Sequence, residues 1–213
     1  MVSPRIDLQT IEIAGFEAPL DEILVALPAL DAHFGDRTTL AVPVSAALAA
    51  DPARMRAFLE RIARGARPER FVLELTDGDS LHVAAFRHRV VPLFREFGVR
   101  ASIDAFDAVL HLAVHELKVH RALVVDVDER RRSQVMLQAV ARAARQLGIS
   151  VVADGVETTS ELAYLLRATP VETAQGSLFA PAMPAEQLID ERADILDRLE
   201  DLAELTAGAR ARV

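Results

Sequence analysis

The stretch SVVADGVET, Ser150–Thr158, decides the fold. Its first five residues, Ser150 to Asp154, carry no helical period and read as a buried strand. The strand runs straight into Asp154-Gly155-Val156-Glu157, so two carboxylates sit where strand gives way to loop, with a glycine to let the backbone turn. Three other strand-like runs end in, or carry, an acid: IAGFEA with Glu17, FVLELTD with Glu74 and Asp77, and VRASIDAFD with Asp104. Acids at the ends of successive strands, with helices between them, predict one convergent pocket.

Size and composition narrow the classes. The chain has 213 residues, 51% of them apolar, with no Trp and one Tyr, so one aliphatic core is expected. There is no Cys, which excludes disulfides, thiolate metal sites and cysteine nucleophiles. A net charge of −8 disfavours binding to phosphodiester backbones, so no nucleic-acid partner is expected. No run approaches the roughly 18 apolar residues of a membrane span, and MVSPRIDLQT lacks the apolar centre of a signal peptide. The expectation is a cytoplasmic protein without a membrane partner. Arg130-Arg131-Arg132, beside Asp126, Asp128 and Glu129, reads as a solvated helix start.

In order, residues 5–8 and 11–17 read as a strand pair, and DEILVALPALDAHFG as a helix interrupted or restarted at Pro28 and stopped at Gly35. TTLAVPVS (38–45) is a strand expected to end early or to be distorted at Pro43. Asp51-Pro52 starts a helix with Asp as cap. FVLELT (71–76) is a strand, and a helix from about Ser80 to Phe97 is predicted to kink or break at Pro92. VRASIDAF (99–106) and ELKV (116–119) are strands. Helix 129–147 is expected to bury Met136, Ala139, Val140, Ala143 and Leu147. A helix holding Leu162, Leu165 and Leu166 follows, then a strand over 173–180, then one long helix from Pro184 to about Ala207. Strands apolar on both faces, alternating with helices, imply a parallel sheet covered by helices, and seven to eight strands favour a (β/α)8-like barrel over an open sheet.

In such a barrel Glu17, Glu74, Asp104 and Asp154 would point into one mouth, near Glu157. Several carboxylates together suit hard cations such as Mg2+, Mn2+ or Ca2+, and two such ions could activate water against a phosphodiester, with Lys118 steadying a phosphate. The same acids could equally be caps and solvated turn residues, and spacing alone leaves both readings open. His111 and His115, four apart with His120 nearby, lack the glutamate of a metalloprotease motif and read as ordinary histidines. Ser45, Ser80 and Ser102 have no nucleophile-elbow context.

VVADGVETTSELAYLL followed by TAQGSLFAPAMPAEQL resembles the end of the EAL domain, a family of cyclic di-GMP phosphodiesterases, and GFEAPL, FVLELTD, SIDAF and ELKV match other segments in the same order. The resemblance covers about Arg5 to Leu188. It implies a modified TIM barrel, bacterial, whose first strand runs antiparallel to the rest. It also implies that Glu17, Glu74, Asp104, Lys118, Asp154, Glu157 and Gln175 stand at family site positions.

The departures from the family pattern point away from catalysis. Pro19 replaces the leucine of the name motif, and Asp21 stands where a ligand-binding arginine is usual. Pro43 replaces a metal-ligating asparagine. Asp77 shortens the acid that anchors the adjoining loop. The paired aspartates become Asp104 and Ala105, His120 replaces the aspartate after Lys118, and Asp154 shortens a glutamate by one methylene. The stretch from Asp104 to Lys118 lacks most of a loop that orders the metal site, and the stretch after Glu17 is trimmed.

The expectation is a degenerate, non-catalytic EAL-like domain, 1–185, acting through a protein partner in bacterial signalling or transcription. Residues 186–213 form a helix that packs on the barrel or lies at a dimer or partner interface. Leu188, Ile195, Leu199 and Leu202 line its apolar stripe, widened by Ile189, Leu196 and Ala203. The alternatives are a cyclic di-GMP receptor without hydrolysis, and a weak metal-dependent phosphodiesterase. No cofactor is expected, and Mg2+ or Mn2+ only with residual activity, Glu17, Glu74 and Asp104 being the weak metal candidates. A homodimer stays open.

Overall fold

The computed structural model describes residues 1–76, 86, 88–104 and 114–210. Eight strands close into a barrel in chain order: β1 (Ser3–Asp7), β2 (Glu12–Glu17), β3 (Thr39–Ser45), β4 (Phe71–Thr76), β5 (Arg100–Ile103), β6 (Glu116–Val119), β7 (Ser150–Asp154) and β8 (Thr173–Gln175). β1 runs antiparallel to both β2 and β8, and all other neighbours are parallel. The inversion follows from the first connection. Only Leu8–Ile11 separate the two strands, too few for the crossover that a parallel pair needs. The Asp7 carboxylate closes this turn by accepting from the Gln9 and Thr10 amides at 2.6 and 3.1 Å, and Ile11 adopts φ 58°.

The helices are α1 (Leu20–Phe34), α2 (Ala46–Ala49), α3 (Pro52–Gly65), α4 (Val91–Phe97), α5 (Arg121–Val124), α6 (Arg131–Gln146), α7 (Thr159–Ala168), α8 (Ala185–Asp190) and α9 (Arg192–Arg210). Their ends obey local chemistry. Asp51 caps α3 by accepting from Ala53 and Arg54, with Pro52 in the first turn. Thr158 and Glu161 form a reciprocal capping box on α7. One core cluster runs from Val2 to Leu202 and joins the strands' helix-facing residues to the helices' inner faces. α9 packs against α7, with Ile195, Leu199 and Leu202 buried. Among the described residues no helix is long and apolar enough to cross a membrane.

Five expectations are corrected. α1 continues through Pro28, which sits on its exposed side while Ile23, Leu27 and Leu30 are buried; packing of that face outweighs the helix-breaking cost of about 3 kcal/mol. β3 does not end at Pro43 but pairs with β4 as far as Ser45. β2 accompanies β3 only to Ala41, so Pro43 lies where the strand is paired on one side, as a proline tolerates. α6 buries Ser133, Leu137, Ala141 and Ala144, whereas Met136 and Leu147 are 48% and 58% exposed. The face of small residues brings the helix close to the barrel. β8 stops at Gln175, because Gly176 turns with φ 156° and a Cβ there would stand 2.1 Å from the Val156 carbonyl oxygen. The long C-terminal helix is two helices that break at Glu191.

The predicted helix from Ser80 lies partly outside the described residues. Its latter part begins anew at Val91, with Pro92 in the first turn, and Phe86 stacks edge-on against Phe94 at 5.8 Å.

Candidate functional site

Side chains alternate along each strand between barrel interior and helix layer. Leu73 and Leu75 flank Glu74, and Leu117 and Val119 flank Lys118; these four join the apolar cluster and leave Glu74 and Lys118 to the interior. At the C-terminal ends of β2, β4, β6 and β7 the four charged groups meet. Lys118 Nζ lies 2.7 Å from Glu74 Oε1, donates to Glu17 Oε2 at 2.8 Å, and stands 3.9 Å from Asp154 Oδ2. Gln175, on β8, donates from Nε2 to Asp154 Oδ1 at 2.9 Å. The structure thus brings Glu17, Glu74, Lys118, Asp154 and Gln175 into one cluster.

One ammonium among three carboxylates leaves the cluster short of positive charge. Glu74 is 5% exposed, and its pKa is raised to about 7. Burial is the largest cause and the Glu17 charge the next; Lys118 and, more weakly, Arg5 oppose them without prevailing. Burial alone would lower the Lys118 pKa, but the Glu74, Glu17 and Asp154 charges together drive it up. Lys118 therefore stays an ammonium at neutral pH.

The loops beside this cluster are held by a buried carboxylate. Glu161, 2% exposed, accepts from the amides of Glu157 and Thr158 through Oε2, at 2.7 and 2.9 Å, and from the Asp126 amide through Oε1 at 2.7 Å. It ties the loop after β7 to the turn after α5, where Asp126 has φ 55°. Gly155, φ 82°, lets that loop pass Arg121, whose Cβ a side chain at 155 would meet at 2.7 Å. Arg121 in turn pairs with Glu157 at 2.7 Å, so Glu157 faces a surface cation and not Lys118.

Other expected residues take no part in the Lys118 contacts. Asp104 is exposed at the end of β5 and pairs with no described residue. Asp21 is on the outer face of α1, ion-paired with Arg61. His115 precedes β6, where its Nδ1 accepts from the Ala101 amide at 3.2 Å, and burial followed by Arg100 and Arg95 lowers its pKa. His120 caps α5 through Nδ1. Asp77, Ser80, Ala105 and His111 lie outside the described residues. Three contributors escaped the sequence reading: Arg5, Arg121 and Glu161. Arg5, 3% exposed, pairs with Glu116 at 2.6 Å inside the barrel. The T-x-x-E spacing of Thr158 and Glu161 was the readable signal for the last of them.

Among the described residues no group of three or more His, Asp or Glu side chains is arranged to hold one. In the β3–β4 ladder Glu74 stands opposite Pro43, which has no side-chain donor. One Asp154 oxygen is taken by Gln175, and an ammonium stands between Glu17 and Glu74.

Comparison with known proteins places this geometry. The family model described as the EAL domain matches residues 1–182. The cyclic di-GMP phosphodiesterase NbdA of Pseudomonas aeruginosa is 36% identical over 110 residues, which are 47% of this chain and 14% of that protein. The bifunctional diguanylate cyclase/cyclic di-GMP phosphodiesterase MucR of the same organism is 28% identical over 129 residues, 57% of this chain and 19% of that protein. The chain spans less than a fifth of the length of these two relatives. The same fold is found in the EAL domain of Mycobacterium smegmatis DcpA, with a TM-score of 0.79, 22% identity, and coverage of 91% of this chain and 94% of that one. The Xanthomonas citri FimX EAL domain, solved in complex with c-diGMP, gives a TM-score of 0.71 at 19% identity, covering 86% and 87%.

Proposed function

The chain belongs to the EAL domain family, and on that premise we propose that it is a regulatory domain of cyclic di-GMP signalling that acts through a protein partner and does not hydrolyse the nucleotide. The observation that carries this reading is the Lys118 cluster. Its carboxylates face a protein ammonium, and the ladder position opposite Glu74 is Pro43. Hydrolysis by two metals needs hard oxygen donors that lower the pKa of an attacking water. Pro43 offers none, Asp154 is engaged by Gln175, and Asp104, just past β5, is exposed and pairs with no described residue.

A second reading is a receptor that binds cyclic di-GMP without cleaving it. It is favoured by the shared fold of the FimX EAL domain, whose structure holds c-diGMP. Against it, position 21 of α1 supplies no cation to a phosphate: it is Asp21, whose carboxylate is ion-paired with Arg61 on the helix's outer face. Calorimetry with cyclic di-GMP, with and without Mg2+ or Mn2+, separates the two. No heat of binding supports the partner-binding reading, and micromolar binding without turnover replaces it with the receptor.

A further inference from the structure

A groove of about 700 Å3 runs along the outside of the barrel between α1 and α8. Val25 and Ala29 form one ridge of the groove at i, i+4 spacing, and Ala185 and Ile189 form the other. Val25 is 84% exposed, more than any other large apolar side chain among the described residues. Two facing ridges of small and apolar residues offer a surface that a third helix can fill by laying its own ridge between them. Carboxylates rim the groove. Asp21 meets Arg61, and Glu22 meets the terminal ammonium, but Glu186 is exposed without an ion partner among the described residues, as is Asp190, which follows the groove residue Ile189 on α8.

We infer that the α1–α8 groove is a docking site for a cationic amphipathic helix of a partner protein. Apolar residues at i, i+3 and i+4 of that helix would cover Val25 and Ile189, while Lys or Arg side chains meet Glu186 and Asp190. The charge selects this occupant. A second copy on a two-fold axis would set one acidic rim against another, in a chain of net charge −8. An anionic lipid surface would be repelled by the same rim. The inference rests on the partner-binding reading and adds the place and the chemistry of the contact.

The test is fluorescence anisotropy with the full chain and a labelled helical peptide of about 18 residues, with Leu on one face and Lys on the other. Its counterpart carries Glu in place of Lys. The expected result is saturable binding of the Lys peptide only. Val25→Asp should weaken it about tenfold or more, a loss of about 1.4 kcal/mol. Glu186→Lys with Asp190→Lys should weaken it comparably, whereas Glu200→Lys with Asp201→Lys on α9, the same change in net charge, should leave it unaltered. Absence of saturable binding, equal binding of the Glu peptide, or indifference to Val25→Asp overturns the inference. So does a dimer in sedimentation that Val25→Asp dissociates. Nucleotide turnover is measured separately, so its appearance would remove the functional reading while peptide binding still located the groove.

Discussion

The Lys118 ammonium lies 2.7 Å from Oε1 of Glu74, a carboxylate almost closed off from solvent. The same nitrogen serves Glu17 at 2.8 Å, so one cation holds two acids in place at the barrel mouth. Removing one partner of a buried pair leaves the other uncompensated. Lys118→Met should therefore destabilise the fold by about 3–5 kcal/mol at pH 7 in denaturant titrations. Adding Glu74→Gln should recover much of that loss.

The raised pKa of Glu74 makes stability depend on pH with a defined sign. The folded value, about 7, exceeds the unfolded one, 4.5, so the folded state binds more protons between them. This group's contribution is fully present below about pH 4.5 and is lost as pH rises through about 7. At about 1.4 kcal/mol per pH unit, this group's contribution falls by something on the order of 3 kcal/mol. Unfolding free energies at pH 5, 6 and 8 should show the decline in the wild type relative to Glu74→Gln, in which it is flattened.

Glu161 supplies the acceptors for three backbone amides on two loops. Glu161→Ala strands all three and should cost about 3 kcal/mol or more; Glu161→Gln keeps one carbonyl oxygen and should cost about 1–2. Hydrogen exchange at Asp126, Glu157 and Thr158 should accelerate in both variants. An unchanged exchange rate would remove the clamp from the account.

Oxygen donors can be added at positions 43 and 154. Pro43→Asn with Asp154→Glu supplies an oxygen beside Glu74 and lengthens the acid on β7. Calorimetry with Mn2+ should show this double variant binding at least about tenfold tighter than the wild type. Equal affinity would mean that the donors at 43 and 154 are not what separates this pocket from a metal site.

The barrel was legible because its strands are short apolar runs punctuated by Gly and acids, and Ser150–Asp154 is the plainest of them. Convergence of Glu17, Glu74 and Asp154 followed from their places at strand ends. What sequence could not supply was the local balance of terms. Pro28 and Pro43 looked like breaks, but their cost depends on which side of the helix or strand lacks a partner, and that is set by tertiary packing. The buried face of α6 was misread because Met136 and Leu147 are more apolar than Ser133 and Ala141, yet small residues are what close approach to the barrel selects. Glu157 looked like a pocket acid and turned outward because Arg121, distant in sequence, offered it a cation.

The most direct test of the central claim is turnover of cyclic di-GMP by the full chain in Mg2+ or Mn2+, followed by chromatography of the products. The account predicts that the nucleotide remains intact, with no release of linear pGpG above a protein-free control. Metal-dependent release of pGpG that Glu17→Ala abolishes would contradict it.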